Sequence, residues 1–255
     1  MGFEGQVVVI TGAGRGIGYA LAEAFAAERA QVVIAEKDET TGAAAAERLG
    51  AVFVPLDVSD AQQVRAAVDR IVRDHARIDI WINNAGIAHK GWAVELEPDA
   101  WDADIAVMLN GPFYCARYAG AVMVQQKRGC MINIASVNGL QAQKGRAPYC
   151  SAKAGLIMLT KVLASEWGEH GVRVNAVAPG VFMTDLVSEG IAQGLVSEET
   201  YRNRIPMGRL GEMHELIEAV KFLAGEEASF VTGEVLRVDG GWAAYHLFYP
   251  FDKAF

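Results

Sequence analysis

Seven short stretches of the chain are nearly unbroken in apolar residues: "QVVVIT", "AQVVIAE", "AVFVPLD", "IDIWINN", "GCMINIAS", "VRVNAVAP" and "GEVLRVD". Between most of them run longer, alanine-rich segments with helical spacing, such as Ile17–Arg29, Ala61–Ala76 and Tyr149–Trp167. Apolar runs without alternation are what a parallel sheet covered on both faces requires. Strands alternating with helices predict an α/β fold, a doubly wound parallel sheet with right-handed crossovers. No linker, repeat or low-complexity tract interrupts the pattern, so it predicts one domain over residues 1–242. The remaining residues, 243–255, are an aromatic tail, "AAYHLFYPFDKAF".

Composition narrows the function classes. A chain of 255 residues is long enough for a substantial core. The net charge of -8 argues against nucleic acid as a main partner. No uncharged apolar window is long enough to cross a bilayer, and the chain opens directly on a strand, so the expectation is a cytoplasmic protein without a membrane partner. Gly2 lacks the Ser or Thr at position 6 that myristoylation requires, since Gln6 stands there. The three cysteines, Cys115, Cys130 and Cys150, have no metal or disulfide spacing, and no metal is expected.

In "VVVITGAGRGIGYALAEAF" a glycine-rich turn joins the first strand to the first helix. Glycines let backbone approach a pyrophosphate, and the helix N-terminus offers free N–H groups. The spacing of Gly12, Gly16 and Gly18 departs from the general dinucleotide pattern, so the turn alone is a weak signal. Its place at the head of an alternating chain makes it strong. Glu36 ends the second strand, where an acid can accept from the ribose hydroxyls and repel a 2′-phosphate. It favours NAD over NADP, although Arg15 and Lys37 could both reach a phosphate. A solvated strand end would also explain Glu36. Asp57, with Val58 beside it, could bond an adenine amino group. The small residues Asn84, Ala85 and Gly86 of "NNAG" leave room for a flat ring in the crevice of such a sheet.

Tyr149 and Lys153 are four positions apart, hence on one helix face, and Pro148 suits the first turn. A free tyrosine has a pKa of ~10, so it needs a neighbouring positive charge to exchange its proton at neutral pH. Lys153 supplies one. Ser136, at the end of the fifth strand, could hold the substrate oxygen. Taken alone, the Tyr–Lys pair is explained as well by an exposed polar stripe. Behind a nucleotide-type turn and a small-residue strand end, the chemical reading prevails.

These pieces together resemble the short-chain dehydrogenase/reductase family. The match is carried by "TGAGRGIG", "DV" at 57–58, "NNAG", Ser136, "YCSAK", "VNAVAPG" at 174–180, Thr184 and "TGEVLRVDGG" at 232–241, in the family's order from about residue 4 to Trp242. The resemblance implies a Rossmann-like domain and nicotinamide-dependent hydride transfer between an alcohol and a carbonyl. It implies that Ser136 polarises the substrate oxygen, that Tyr149 is the general acid/base, and that Lys153 lowers its pKa and holds the nicotinamide ribose. The cofactor would then rest on Gly12, Arg15, Gly16, Ile17 and Gly18, with Pro179, Gly180, Val181 and Thr184 at its carboxamide end. One position departs. Where the family has a helical asparagine that supports a water, this chain has Met108, and Asn110 two residues on would point the opposite way.

Substrate identity is the least legible part. His89 and Trp92 follow "NNAG", Asn138 and Gln143 follow Ser136, and 181–207 reads as a lid. Asn138 and Gln143 are explained equally well as ordinary loop residues. The mixed polarity points to a sugar, polyol or similar small secondary alcohol. The alternative is NADPH-dependent reduction of a 3-oxoacyl thioester, with Arg15 gripping the phosphate. A dinucleotide-binding protein without catalysis is a third reading, against which Ser136, Tyr149 and Lys153 all speak. Tyr245, Phe248, Tyr249, Phe251 and Phe255 in the tail suggest a subunit contact, with a homotetramer expected.

Overall fold

The computed structural model describes residues 2–184, 187, 188, 191 and 197–245. Seven strands form one sheet, β1 (Val7–Thr11), β2 (Gln31–Glu36), β3 (Val52–Pro55), β4 (Ile80–Asn83), β5 (Gly129–Ile134), β6 (Val172–Pro179) and β7 (Val235–Val238). Their order is β3-β2-β1-β4-β5-β6-β7, and every pairing is parallel. Most strands are shorter than the quoted runs at one or both ends, whereas "VRVNAVAP" is kept whole as Val172–Pro179. "IDIWINN" is reduced to Ile80–Asn83 and "GEVLRVD" to Val235–Val238.

Alternate strand residues enter opposite layers. Val8 and Ile10 pack with Leu21 and Phe25 of α1 (Gly16–Ala27) and with Leu216 and Val220 of α7 (Met213–Ala224). Val7 and Val9 face Val64, Val68 and Ile71 of α3 (Ala61–His75). Helix α2 (Glu39–Leu49) joins the first layer through Ala45 and Ala46. On the second side lie α5 (Ala147–Trp167) and α4, a run over 98–126. A short helix, α6 (Glu198–Arg204), lies between β6 and α7 along the chain. Burying both faces is the reason the strands carry no polar alternation.

Three helical runs end on a left-handed residue that is not glycine, one of them at Lys127 beyond α4, with φ +54°. Arg29 beyond α1 and Ala76 beyond α3 both take φ of +63°, the left-handed region that side chains rarely adopt. The helix over 98–126 is not uniform. Its α-helical pieces Pro98–Ile105, Gly111–Cys115 and Ala121–Gln126 are separated by π-helical turns at Ala106–Asn110 and Ala116–Gly120. Such wide turns shift the face that each later residue presents.

The strand order reverses between β1 and β4. Sheets of this kind open a crevice at that point, beyond the carboxyl ends of the strands.

Candidate active site

The turn after β1 is held by close backbone approaches. A Cβ on Gly18 would lie 2.3 Å from the Gly12 carbonyl oxygen and 2.5 Å from Asn84 Nδ2, and one on Gly12, at φ +65°, would lie 2.7 Å from Ala85 Cα. Asn84 Nδ2 donates to the carbonyls of Thr11 and Gly12, each at 3.0 Å. Thr11 Oγ1 accepts from the N–H groups of Asn84 at 3.0 Å and Ala85 at 3.1 Å. Thr11 thus ties β1 to "NNAG", a role the sequence did not suggest. Arg15, the residue before α1, is exposed and provides no side-chain cap, so the first N–H groups of this helix are open to an anion. This donor set and its small residues fit a dinucleotide pyrophosphate.

Glu36 is drawn into the same turn. Its carboxylate accepts from Gly14 N at 3.1 Å, Lys37 N at 2.8 Å and Asp38 N at 3.1 Å. The Lys37 ammonium turns away to Asp57 Oδ2 at 2.7 Å. Asp57 is held also by Ser59, whose hydroxyl donates at 2.6 Å. Partial burial works against the Asp57 charge, but these donors together keep its carboxyl below the usual carboxylate range.

Ser136, Tyr149 and Lys153 come together at the carboxyl end of β5. Ser136 is buried, and its Oγ accepts from Asn138 N at 3.1 Å. The α5 helix starts at Ala147, two residues before Tyr149, with Pro148 in its first turn. Lys153 is buried, and its Nζ donates to the Ile134 carbonyl at 2.7 Å. Its Nζ lies 5.8 Å from the centroid of the Tyr149 ring. Burial pushes the Lys153 ammonium down to about 8. Burial also raises the Tyr149 phenol above its ordinary value, opposed first by the Ser136 hydroxyl and then by the Arg146 charge. Arg146 is a neighbour that sequence reading missed, with its Cζ 5.9 Å from the Tyr149 ring centroid.

A buried relay of side chains fastens this helix to the sheet. Trp81 Nε1 donates to Asn83 Oδ1 at 2.9 Å, Asn83 Nδ2 to Asn133 Oδ1 at 2.8 Å, and Asn133 Nδ2 to Thr160 Oγ1 at 2.9 Å. Thr160 Oγ1 donates in turn to the Leu156 carbonyl at 2.8 Å.

Comparison with known proteins points the same way. A family model described as enoyl-(acyl carrier protein) reductase matches residues 12–243. A 3-oxoacyl-acyl-carrier-protein reductase of Thermotoga maritima is 38% identical over 94% of this chain and 99% of its own length. A meso-2,3-butanediol dehydrogenase of Serratia marcescens is also 38% identical, over 96% of this chain and 97% of its own. Among solved structures, a gluconate 5-dehydrogenase from Burkholderia cenocepacia in complex with NADP and tartrate superposes with a TM-score of 0.90 at 36% identity, over 96% of this chain and 98% of that one. The chain belongs to the short-chain dehydrogenase/reductase family. It is an NAD(P)-dependent oxidoreductase with a Rossmann-like fold.

Within this short-chain dehydrogenase/reductase, Met108 is fully buried and Asn110 is exposed. The two residues do point apart, although the segment is a π-turn and not regular α-helix. A Cβ on Gly86 would touch Met108 Sδ at 3.6 Å, so the thioether packs under "NNAG". Pro179 ends β6, and a Cβ on Gly180 would lie 2.8 Å from Asp239 Cα. Val181 accepts from Gly211 N at 3.0 Å, and Thr184 Oγ1 accepts from Val187 N at 3.3 Å.

The expected substrate residues separate into three groups. Asn138 and Gln143 bond each other, Nδ2 to Oε1, at 2.6 Å. Trp92 is 58% exposed and, with Gln143, lines a cavity bordering Arg146. His89 is not among the walls of that cavity. Its ring Nδ1 lies 2.7 Å from Asp104 Oδ1, and its N–H also meets this carboxylate, which is fully buried on α4. Fifteen residues of separation hid this pair from sequence reading. Cys115 and Cys130 are buried, with thiols pushed up to about 12 and about 11, so neither is a nucleophile. No metal-binding cluster is present among the described residues. Among those residues no helix is long and apolar enough to cross a membrane. Of the lid, 185–186, 189–190 and 192–196 lie outside the described residues, as do Phe248, Tyr249, Phe251 and Phe255 of the tail.

Proposed function

We propose that the protein catalyses hydride transfer between NAD and a small, polar secondary alcohol or its ketone, of the sugar or polyol type. The observation that carries this reading is the convergence of Ser136, Tyr149 and buried Lys153 beside the β1/β4 crevice. Bound nicotinamide supplies or accepts the hydride. Ser136 Oγ fixes the substrate oxygen. In the oxidative direction, the carbinol O–H bond breaks toward the Tyr149 oxygen while the carbinol carbon gives up its hydrogen with both electrons. In reduction, Tyr149 returns the proton to the new alkoxide. Burial works against the phenolate, so cations must favour it: Lys153 on the same face, Arg146 above the ring, and the oxidised nicotinamide.

The Glu36 carboxylate supports the preference for NAD. Anchored on three N–H groups at the end of β2, its charge would repel a 2′-phosphate, and Lys37 is occupied by Asp57. The alternative, an NADPH-dependent 3-oxoacyl thioester reductase, draws on exposed Arg15 and on the names of some relatives. A homotetramer is supported by Phe113 on α4 and by Met158 and Val162 on α5, all exposed on neighbouring helices.

The test is turnover of a panel of polyols, ketones and 3-oxoacyl thioesters with each cofactor, by native protein and Tyr149→Phe. The expected loss in the variant is on the order of a hundredfold to ten-thousandfold in kcat. Undiminished turnover would refute the acid/base assignment. Tighter binding of NADPH than of NADH, together with thioester reduction, would establish the alternative.

A further inference from the structure

A cavity of about 830 Å³ opens where Gly91 pairs with Arg146, and Arg146 is the wall residue that reaches the Tyr149 ring. Its walls include Lys90, Lys144, Arg146 and Arg204, with Trp92 and Trp242. No carboxylate is among the described residues that line it. The whole chain carries a net charge of -8, so four cations around one space run against its composition.

Elsewhere cations meet acids, as Lys37 meets Asp57, Arg209 meets Glu215 and Lys221 meets Glu28 and Glu218. Among the described residues, Lys90, Lys144 and Arg146 take part in no ion pair. Arg204 stacks 5.0 Å from the Trp242 ring centroid and donates to the Tyr245 carbonyl. Like charges around a cavity repel, and a bound anion relieves that repulsion. Arg146 combines a planar fork suited to a carboxylate with a position 5.9 Å from the Tyr149 ring centroid.

We propose that this cavity is an anion subsite, and that the substrate is a hydroxy or sugar acid whose carboxylate is gripped by Arg146 within a few carbon–carbon bonds of the reacting carbinol. Lys144, Lys90 and Arg204 steer the anion in. The proposal rests on the reading of Tyr149 as the acid/base for a polar alcohol. A phosphate ester shares the recognition chemistry and forms a separate arm of the test.

The experiment measures kcat/KM, with NAD and with NADP, for three compounds of one carbon skeleton: a neutral polyol, its aldonic acid and its phosphate ester. The aldonic acid is expected to exceed the polyol by at least about tenfold, with the advantage shrinking as salt is added. Arg146→Gln is expected to lower the acid-to-polyol ratio about tenfold, Lys144→Gln by a few-fold, and Arg146→Lys to retain part of the preference. The ratio cancels any effect of Arg146 on Tyr149 that both substrates share. Lys144 is exposed, so its substitution tests the charge without risk to folding. Equal or better use of the neutral polyol would overturn the subsite and leave the reaction standing. Preference for the phosphate ester would overturn the carboxylate assignment. Turnover of none of the three would sink the subsite and the polyol reading together.

Discussion

Around the glycine turn the contacts run from backbone to backbone. A methyl group at Gly18 or Gly12 has no room, and Thr11, Asn84 and Glu36 spend their polar atoms on main-chain partners. Across the sheet edge, Trp92, Gln143 and Lys144 stand exposed on loops, and Arg146 reaches back over Tyr149. The first region fixes how the chemistry is presented, and almost any change there disturbs the fold. The second is the region the proposed reading assigns to substrate choice, and its exposed side chains tolerate change. Family membership is therefore written in the first region, and the proposal places substrate choice in the second.

The largest effect expected concerns the buried amine between the two regions. Folded Lys153 holds its proton less tightly than the unfolded chain, with a pKa near about 8 against an ordinary 10.5. Between those values the unfolded state binds more protons, so this group makes stability rise with pH, by up to about 3 kcal/mol. Below that window its penalty is fully present. The stability difference between native protein and Lys153→Met, from denaturant titrations at several pH values, is expected to grow in the native protein's favour across the window. A flat difference would show that the amine is not desolvated.

Gly18→Ala is expected next, losing about 1–3 kcal/mol of stability and cofactor affinity with it, as read by thermal unfolding and cofactor titration. Its counterpart in the other region, Trp92→Ala, is expected to stay within about 0.5 kcal/mol and to move substrate KM alone. Equal losses in both would erase the contrast. Glu36→Ser is expected to shift the NADP-to-NAD ratio of kcat/KM by about tenfold toward NADP. Asn110→Ala is expected to do least, leaving kcat within about twofold, because a surface side chain away from the site costs little. A hundredfold fall there would mean that Asn110, and not the Met108 position, serves the proton path.

The difference between the regions also governs what could be read from sequence. Gly12, Gly18, Ser136, Tyr149 and Lys153 were legible because their chemistry depends on residue type at fixed spacing along one strand–turn–helix or one helix face. The sheet followed from apolar runs, with strand ends overextended because flanking residues such as Asp79 and Glu234 lie outside the ladder. The helical spacing brought the stops near Arg29 and Ala76 to within two residues, but not their left-handed backbone, since both lack the glycine that positive φ favours. The π-turns at Ala106–Asn110 and Ala116–Gly120 change the helical period without changing composition. The His89–Asp104 pair and the cation over Tyr149 are tertiary meetings, and no local pattern announces them.

The hydrogen-bonded relay from Trp81 through Asn83 and Asn133 to Thr160 has a mechanical meaning. Thr160 lies about two turns beyond Lys153, which is itself moored to β5 at Ile134. Helix α5 is thus pinned to the central strands at two points along its length. Sliding or rotating it would strand amides in a waterless interior. Loops at the rim can therefore be exchanged for new ones while the phenol keeps its aim, which lets one scaffold acquire different substrates without rebuilding its machinery.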